Sequence, residues 1–325
     1  MSSKIAYTLC SANHLAYAKT MADSFILYNP DYKVFIGLVD KINNRFDESF
    51  FLPHTLIEVD KLEIEPLQEM SDKYTILELN CAVKPFMAQY LFKHYNPDVL
   101  IYTDTDILYY SSIQPIEDEL QEADILLSPH LTKPLNDGKI PNEREFLRAG
   151  LFNAGFFVMK KSETTNAFLM WWGERLQYEG FLKLSEGYGA DQNWLNLVFL
   201  FFENVAVIKS KGANVAYWNL HERNVALVDN KLVVNGTEPL VFLHISGYDF
   251  NNPDNISKHQ TRYNLSDFPL LKNLFFEYIK KVKQNNHDAF SKMNCYYAKS
   301  PKKPTGIMAF TNKIIAPLGI KITGR

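Results

Sequence analysis

The sequence predicts an α/β protein in which helices flank a mostly parallel sheet on both faces. Strand-like apolar runs alternate with segments of helical spacing through the first half of the chain, which is typical of βαβ units. Several of these runs end in polar or acidic residues, and ligands of parallel sheets collect beyond the carboxyl ends of the strands. The chain has 325 residues, 46% of them apolar, and is long enough to bury one large core.

The first half of the chain divides into strands and helices in a regular order. Apolar residues at helical spacing between Leu15 and Ile26 predict a first helix. A second helix is expected around residues 82–91, where Pro85 is tolerated only in the first turn. Strands are expected at residues 4–10, 33–40, 54–60, 98–104 and 123–129.

The second half is less regular. Residues 150–161 are expected to form a loop that enters a strand, and residues 162–178 form a helix that begins at Ser162. Residues 190–202, "ADQNWLNLVFLFF", are apolar on nearly all sides, which predicts a buried helix. A late strand is expected at residues 240–246. A helix near the C-terminus is predicted from Phe268, Leu271, Leu274, Phe275 and Tyr278.

Composition and cysteine usage exclude several classes of protein. The net charge of -3 provides no basic field for nucleic acid. Cys10, Cys81 and Cys295 lie far apart and indicate neither a disulfide framework nor a zinc site, so a cytoplasmic setting is expected. The N-terminus lacks the apolar region of a secretory signal. The longest apolar run, residues 194–202, is too short to span a bilayer.

The feature that indicates chemistry is the acidic pair Asp104 and Asp106, which follows an apolar run. Like charges this close disfavour each other's ionised form, and a bound cation removes that cost. Two carboxylates on one turn suit a hard cation such as Mg²⁺ or Mn²⁺. Acid–base catalysis of the glycosidase type and a simple capping pair are the alternatives. For Asp40 and Asp60, at the ends of other predicted strands, we favour capping.

His244 ends the late apolar run. Taken alone, a histidine on a buried strand is more often a hydrogen-bonded core residue. Because a neutral imidazole is also a good ligand for Mn²⁺, we favour a third ligand beside the acidic pair.

Five short motifs occur in a characteristic order. They are "YTLCSANH" at 7–14, Asp104-Thr105-Asp106, "FNAGFFVM" at 152–159, "DQNWLN" at 191–196 and "HISGYDF" at 244–250. In this order the chain resembles the metal-dependent nucleotide-sugar glycosyltransferases with the GT-A fold, and most closely glycosyltransferase family 8. The resemblance spans roughly residues 4–262.

The resemblance implies a GT-A-type, Rossmann-like sheet that carries a metal-dependent donor site. Asp104, Asp106 and His244 would bind Mn²⁺, or Mg²⁺, and the ion would hold the donor diphosphate. Asp191 and Gln192 are expected to lie beside the transferred sugar as catalytic residues. The residues expected to bind the nucleotide sugar are Thr8, Ser11, Asn13, Lys84, Asp104, Thr105, Asn153, Ala154, Gly247 and Lys258.

Several of these positions have a simpler structural interpretation. Ser11, Asn13 and Asp191 suit helix N-caps, and capping and binding can coexist. Lys84 is equally well explained as an exposed lysine, and residues 153–155 as a tight turn before a strand. Both interpretations remain open for each position.

One motif departs from the family. Relatives carry a lysine a few residues after the His-x-x-Gly motif, where it touches the diphosphate, and "HISGYDFNNPD" has no lysine there. Lys258, His259 and Arg262 are the candidate replacements.

The activity that the resemblance implies is transfer of a hexose from a nucleotide sugar, expected to be a UDP-sugar. The acceptor would be a hydroxyl of a glycan, a lipid-linked sugar or a protein, and the anomeric configuration would be retained. One alternative is a phosphohydrolase of the haloacid-dehalogenase type, with Asp104 as nucleophile and Asp106 as acid/base. A second is a carbohydrate- or nucleotide-binding protein without turnover.

We divide the chain into a glycosyltransferase-like catalytic domain, residues 1–265, and a C-terminal helix with a basic tail, residues 266–325. After Asp288 the chain has no acidic residue but keeps lysines and an arginine. This tail is either solvated or a segment that contacts a membrane surface or a partner. We therefore expect a cytoplasmic protein with possible contact to the inner face of the membrane.

Overall fold

The computed structural model describes residues 3–298. Its strands are β1 (Lys4–Cys10), β2 (Tyr32–Leu38), β3 (Thr55–Glu58), β4 (Val99–Thr103), β5 (Ile107–Tyr109), β6 (Ile125–Pro129), β7 (Phe152–Lys160), β8 (Leu182–Lys183), β9 (Tyr188–Gly189), β10 (Val205–Val207), β11 (Val225–Val228), β12 (Lys231–Val234), β13 (Glu238–Pro239) and β14 (Phe242–His244). A central seven-stranded sheet has the order β10-β6-β7-β4-β1-β2-β3. The others form the three-stranded sheet β11-β12-β13 and the pairs β14-β5 and β8-β9.

The helices occupy the segments between these strands and the C-terminal part of the described chain. The α-helices are α1 (Leu15–Tyr28), α2 (Leu67–Lys73), α3 (Ile76–Ala82), α4 (Lys84–Tyr95), α5 (Gln114–Glu119), α6 (Glu143–Ala149), α7 (Glu163–Glu179), α8 (Val198–Phe201), α9 (Pro269–Gln284) and α10 (His287–Phe290). The 3₁₀ helices are Ala12–His14, Glu48–Phe51, Val59–Leu62, Leu184–Glu186, Asn193–Leu197 and Leu265–Asp267. Over residues 3–298, no helix is both long enough and apolar enough to cross a bilayer.

The central sheet is mostly parallel, which confirms the predicted fold class. β1 runs parallel to β2 and β4, β2 to β3, and β6 to β10. β7 is antiparallel to both of its neighbours, β4 and β6. Because β1 to β4 point the same way, their carboxyl ends meet at one edge of the sheet, where the predicted ligand residues also lie.

Helices cover both faces of the sheet, as the alternation of strand-like and helical segments along the sequence predicts. Along β1, Ala6 and Cys10 join the core formed with α1 and α9, while Tyr7 and Leu9 join the core formed with α4 and α7. Successive side chains of a strand point to opposite faces, so a strand buried on both sides is apolar throughout. Pro85 is the second residue of α4, the first turn in which it was expected.

The prediction of a buried helix over residues 190–202 is wrong. The segment forms a 3₁₀ helix followed by the single turn α8, and within these two helices Leu195 and Val198 are buried. Phe199, Leu200 and Phe201 are 37%, 76% and 55% exposed. The turn lies at the surface beside β7 and not between layers, and an apolar sequence alone does not distinguish these two positions.

The predicted C-terminal helix corresponds to α9. Leu271, Leu274, Phe275 and Tyr278 are all buried in the core that α1 also lines. The predicted basic tail lies outside the described residues beyond position 298. The division of the chain at residue 265 stays a prediction.

Candidate active site

The acidic pair lies on the turn that joins β4 to β5. The Asp104 N–H donates to the Gly155 carbonyl of β7 at 2.8 Å, and the Ile245 N–H donates to the Asp106 carbonyl at 2.8 Å. β14 pairs antiparallel with β5, with His244 opposite Ile107. Backbone hydrogen bonds to β7 and to the residue after β14 therefore fix the turn. The pairing of β14 with β5 also brings His244 beside Asp106, although the two are far apart in the sequence.

The side chains of Asp104, Asp106 and His244 converge. One ligand atom from each lies within 4.8 Å of the other two. His244 Nε2 is 3.0 Å from Asp106 Oδ1 and 4.0 Å from Asp104 Oδ2. Burial alone would raise the pKa of Asp106, but His244 outweighs that effect and lowers it. Burial alone would lower the pKa of His244, and the charge and hydrogen bond of Asp106 raise it.

Gly155 forms the wall of this cluster. A Cβ atom at Gly155 would lie 2.5 Å from His244 Cε1 and 2.6 Å from Asp104 Oδ2. The position therefore requires glycine, because any side chain would push two members of the cluster apart. Two carboxylates and an imidazole in a cradle closed to side chains fit a divalent ion such as Mn²⁺.

Asn214 forms a hydrogen bond with the His244 ring nitrogen that faces away from the acidic pair. His244 Nδ1 lies 2.9 Å from Asn214 Oδ1, so the imidazole donates through Nδ1 and leaves Nε2 free as a ligand. The Asn214 amide donates in turn to Ser128 Oγ at 2.9 Å, and the residue is fully buried with φ 54°. Sequence reasoning missed Asn214, although its left-handed conformation is one that asparagine tolerates.

The environment of Lys84 excludes one of the two interpretations made from the sequence, the exposed lysine. Lys84 is 5% exposed, so it is not an ordinary surface lysine, and its ammonium is engaged by protein groups. Lys84 Nζ lies 2.6 Å from Asp191 Oδ2, 3.6 Å from Asp104 Oδ1 and 2.9 Å from the Ala154 carbonyl. Burial would lower the pKa of Lys84, but Asp104 and Asp191 outweigh it and raise it. Burial raises the pKa of Asp191, and Lys84 offsets only part of that rise.

The charges at this end of the sheet do not balance within the protein. The carboxyl groups of Asp104, Asp106 and Asp191 lie around the one ammonium of Lys84, so the count below applies when all three are ionised and His244 is neutral. Two negative charges are left, and uncompensated charge in a partly buried site is costly. A divalent cation would cancel them.

Asn153, Ala154 and Gln192 lie together at the other side of the cluster. Gln192 Oε1 accepts from the Ala154 N–H at 3.2 Å and from Asn153 Nδ2 at 3.4 Å. Gln192 Nε2 donates to the Ala149 carbonyl at 2.7 Å, so the side chain amide is held at both ends. Asn153 and Ala154 belong to β7, and the predicted turn before the strand is wrong.

A neighbouring cleft of about 400 Å³ contains most of the predicted nucleotide-sugar residues. Those that line it are Ser11, Asn13, Lys84, Asp104, Thr105, Gly247 and Lys258, and Asp106 of the predicted metal site lines it too. Asn153 and Ala154 do not line it. Thr8 does not line the cleft. Its side chain is fully buried in β1, so the expected contact with the nucleotide is not available in this conformation.

The loop after β1 is fixed by contacts other than the expected caps. Ser11 makes no side-chain capping bond, and its Oγ accepts from Asn80 Nδ2 at 3.2 Å. Asn13 Oδ1 accepts from His14 Nδ1 at 2.8 Å and from Cys295 Sγ at 3.3 Å. Both residues remain on the wall of the cleft.

Asp40 and Asp60 anchor the chain near its C-terminal described end. The Asp40 carboxylate accepts from the Ala12 N–H at 3.1 Å and from the Tyr296 N–H at 3.0 Å. Asp60 accepts from the Tyr297 hydroxyl. Capping, the role favoured from the sequence, does not describe these contacts: Asp60 lies inside the 3₁₀ helix Val59–Leu62, and Asp40 accepts from two N–H groups that are distant in sequence.

Among the three candidates for the missing lysine, Arg262 is committed elsewhere. Its guanidinium binds Asp137 through Nε at 2.5 Å and through a terminal nitrogen at 2.9 Å. Lys258 lines the cleft, and its N–H donates to the carbonyl of Gly247 at 2.9 Å. Gly247 has φ +69°, and a Cβ there would lie 2.4 Å from His259 Cδ2. Of the three candidates, Lys258 is the one that lines the cleft, while His259 lies against Gly247 and outside the cleft lining.

Sequence reasoning also missed two polar groups on the cleft wall. The Tyr278 hydroxyl and Asn80 Oδ1 are buried without a hydrogen-bond partner in the described chain. Tyr278, on α9, was assigned to the core because its spacing matches the apolar residues around it. An unpartnered buried polar atom next to a cleft is costly unless a ligand satisfies it.

Comparisons with known proteins place this geometry in context. No family model matches the chain. Two proteins of Bacillus subtilis (strain 168) are similar in sequence, the uncharacterized proteins YfnF and YfnD. YfnF is 26% identical, and the match covers 91% of this chain and 98% of YfnF. YfnD is 24% identical, and the match covers 85% of this chain and 88% of YfnD.

Two solved structures are similar in fold. The galactosyltransferase LgtC, solved in complex with donor and acceptor sugar analogs, has a TM-score of 0.50 at 16% identity. The match covers 86% of this chain and 95% of LgtC. The bifunctional glycosyltransferase WbbM has a TM-score of 0.51 at 13% identity, and the match covers 86% of this chain and 50% of WbbM. The chain has the GT-A fold. The fold expected from the resemblance is thereby confirmed, and the GT-A arrangement places the acidic pair of this chain at the carboxyl edge of the sheet.

Proposed function

We propose that this chain is a metal-dependent glycosyltransferase that moves a hexose from a nucleotide sugar, a UDP-sugar, to an acceptor hydroxyl with retention of configuration. The single observation that supports this most is the cradle of Asp104, Asp106 and His244 against Gly155. The fold shared with LgtC and WbbM supports it independently.

In this proposal the three side chains hold Mn²⁺, or Mg²⁺, in the mouth of the cleft. The ion would neutralise the charge that grows on the departing nucleoside diphosphate. Asn214 keeps the His244 ring oriented, and Lys84 keeps Asp104 and Asp191 in place by a buried ion pair. Such positioned charges need no reorganisation during the reaction.

The protein groups beside the sugar approach it closely, orient it and stabilise its charge. Asn153 and Ala154 bring backbone and a small side chain close to the hexose. Gln192, held by the Ala149 carbonyl and the Ala154 N–H, orients the sugar. Asp191 supplies a carboxylate that stabilises positive charge on the sugar as the glycosidic bond breaks.

The nucleotide binds along the cleft in this proposal. Ser11 and Asn13 contact the base and ribose, Thr105 and Gly247 offer backbone groups, and Lys258 contacts the diphosphate. All five line the cleft. The acceptor is a glycan, lipid-linked or protein hydroxyl, and the setting is cytoplasmic.

A thermal-shift panel tests the proposal. Nucleotides and nucleotide sugars are added with and without Mn²⁺, and we expect UDP and one UDP-sugar to raise the melting temperature only when the ion is present. The D104N/D106N double variant should lose this shift, while the D288N variant, at an exposed acid, should keep it. A protein stabilised by no nucleotide would contradict the proposal. Release of phosphate from simple phosphoesters would favour the phosphohydrolase, and nucleotide binding without transfer or hydrolysis of any donor would favour a binding protein.

A further inference from the structure

An apolar ridge projects from the surface near the sugar end of the site. It consists of Leu147, Leu151, Phe199, Leu200 and Phe201, with exposed fractions of 65%, 43%, 37%, 76% and 55%. Single exposed apolar residues are ordinary, but five on neighbouring elements form a patch of the kind that marks an interaction surface.

Contacts across three elements connect members of the ridge. Phe199 of α8 stacks on Phe152 of β7 with ring centroids 5.1 Å apart. The Leu151 N–H donates to Asn196 Oδ1 at 2.8 Å, which joins the start of β7 to the 3₁₀ helix before α8. Leu147 of α6 and Leu151 line one groove of about 580 Å³. Leu147, Leu151 and Phe199 are thereby joined across α6, the start of β7 and α8, and Leu200 and Phe201 follow Phe199 on the same short helix.

The groove leads from the ridge to the candidate active site. His130 lines it, and His130 Nε2 lies 3.4 Å from Nδ2 of Asn153, a residue assigned to the sugar. The lining is mostly apolar, including Phe146 and Leu131. An apolar surface that ends beside the sugar residues suits an acceptor presented from an apolar phase.

Three cations lie at the end of the ridge formed by α6 and the groove, where α6 also carries Glu143 and Glu145. Arg144 and Arg148 are exposed on α6, on either side of Leu147 in sequence, and Lys133 lines the groove. Within residues 3–298, none of these three has an acidic oxygen within 4.0 Å. Glu143, which also lines the groove, is engaged as acceptor from the Leu135 N–H at 2.6 Å. Exposed apolar side chains with unpaired cations beside them are the pattern of interfacial binding to anionic lipids.

We propose that the apolar ridge docks this protein on a bilayer surface that contains anionic lipids. Phe199, Leu200 and Phe201 enter the boundary between headgroups and acyl chains, and Arg144, Arg148 and Lys133 contact lipid phosphates. Docking would turn the sugar end of the site toward an acceptor anchored in the same bilayer; this last step rests on the proposed function. Tyr297, near the end of the described residues, contacts Asp60 beyond β3, at the edge of the sheet opposite β10.

Cosedimentation of the full chain with vesicles tests the proposal. We expect binding to vesicles of phosphatidylcholine mixed with phosphatidylglycerol, weaker binding to phosphatidylcholine alone, and a decrease with added salt. The L200E/F201E variant should bind about tenfold more weakly or worse, because two apolar contacts are replaced by charges that anionic lipids repel. The R144E/R148E variant should lose the preference for phosphatidylglycerol.

The matched control is L227E, at a leucine of the β11–β12 hairpin that is 57% exposed. It should bind vesicles like the unmodified chain. Vesicle binding that survives L200E/F201E, or that L227E weakens equally, would overturn the proposal. Donor hydrolysis with a water-soluble nucleotide sugar is measured in parallel and should be unchanged in L200E/F201E. If vesicles bind through the ridge but no donor reacts, docking stands and the proposed function fails.

Discussion

His244 Nδ1 and Asn214 Oδ1 lie 2.9 Å apart in a fully protein-enclosed contact. This hydrogen bond decides which imidazole nitrogen faces the acidic pair. If Asn214 orients His244, removal of the Asn214 side chain will weaken metal binding although all three proposed ligands are still present. Partners of metal-bound histidines typically contribute about ten- to a hundredfold in affinity.

The first prediction concerns Asn214. N214A should lower the affinity for Mn²⁺ by about ten- to a hundredfold, measured by calorimetry in the presence of UDP. N214D keeps the acceptor oxygen and tolerates the left-handed backbone, so it should retain most of the affinity. Nitrogen-15 NMR of the metal-free protein gives a second readout. We expect the neutral His244 ring to carry its proton on Nδ1 in the unmodified chain, and a proton on Nε2 would rule out this role.

The second prediction concerns Gly155. G155A would place a methyl group 2.5 Å from His244 Cε1 and 2.6 Å from Asp104 Oδ2, so we expect loss of the Mn²⁺-dependent shift by UDP. Overpacking of this kind also destabilises the fold by about 1–3 kcal/mol. G173A is the matched control, because its nearest neighbour would be an ordinary 3.4 Å away. Equal metal binding by G155A and G173A would contradict the assignment of the cradle.

The third prediction concerns the buried ion pair of Lys84. K84M leaves Asp104 and Asp191 without their cation, and breaking such a pair costs about 3 kcal/mol or more in the free energy of unfolding. Urea denaturation measures this change. D191N added to K84M should recover part of the loss, because one buried charge is then removed. K93M, which removes an exposed partner of Glu63, should change stability little. A K84M chain as stable as K93M would show that the pair is not buried in solution.

The fourth prediction is a pH dependence that arises from His130. Burial lowers the pKa of His130 to about 4 from an ordinary value of 6.5. Above pH 6.5 the ring is neutral in both the folded and the unfolded chain. As the pH falls from 6.5 toward 4, the unfolded chain takes up a proton that the folded chain refuses, so stability falls by up to about 3 kcal/mol.

The variant H130Q isolates this contribution, since glutamine does not titrate. Between pH 6.5 and 4 the free energy of unfolding should fall less steeply for H130Q than for the unmodified chain. The two curves should run parallel above pH 7. Parallel curves over the whole range would mean that His130 is protonated as readily when folded as when unfolded.

The fifth prediction concerns the unpartnered hydroxyl of Tyr278. If a bound donor satisfies it, Y278F should weaken UDP binding about two- to tenfold, the value of one hydrogen bond. Y110F is the control, because the Tyr110 hydroxyl is also buried and unpartnered among the described residues but does not line the cleft. Unchanged UDP affinity in Y278F, measured by calorimetry, would remove Tyr278 from the donor site.

Local patterns in the sequence were sufficient to predict much of the fold. The bounds of β1 match the expected strand at residues 4–10, because a strand buried on both faces is apolar throughout. The convergence of Asp104, Asp106 and His244 was also predictable. The order of the motifs indicated the family resemblance, and that resemblance relates His244 to the acidic pair although they are far apart in the sequence.

Other features depend on contacts between distant segments and could not be predicted. Asn214 acts through a hydrogen bond to His244, and nothing near it in the sequence indicates that partner. Lys84 can be buried because its ammonium pairs with Asp191, which lies more than a hundred positions away in the sequence. The residues around the start of α4 give no sign of this partner. The prediction that the segment around Leu200 is buried failed because an apolar run has the same composition in a core and on an exposed surface.

The contacts of Cys295, Tyr296 and Tyr297 also bear on the order in which the protein matures. Cys295 meets Asn13 across 282 positions of sequence, and the Asp40 and Asp60 anchors are likewise among the first sixty residues. While the chain is being synthesised, these contacts with the loop after β1 and with the two acids are absent until residues 295–297 have left the ribosome. A nascent chain that stops before residue 295 therefore lacks contacts that support one wall of the cleft.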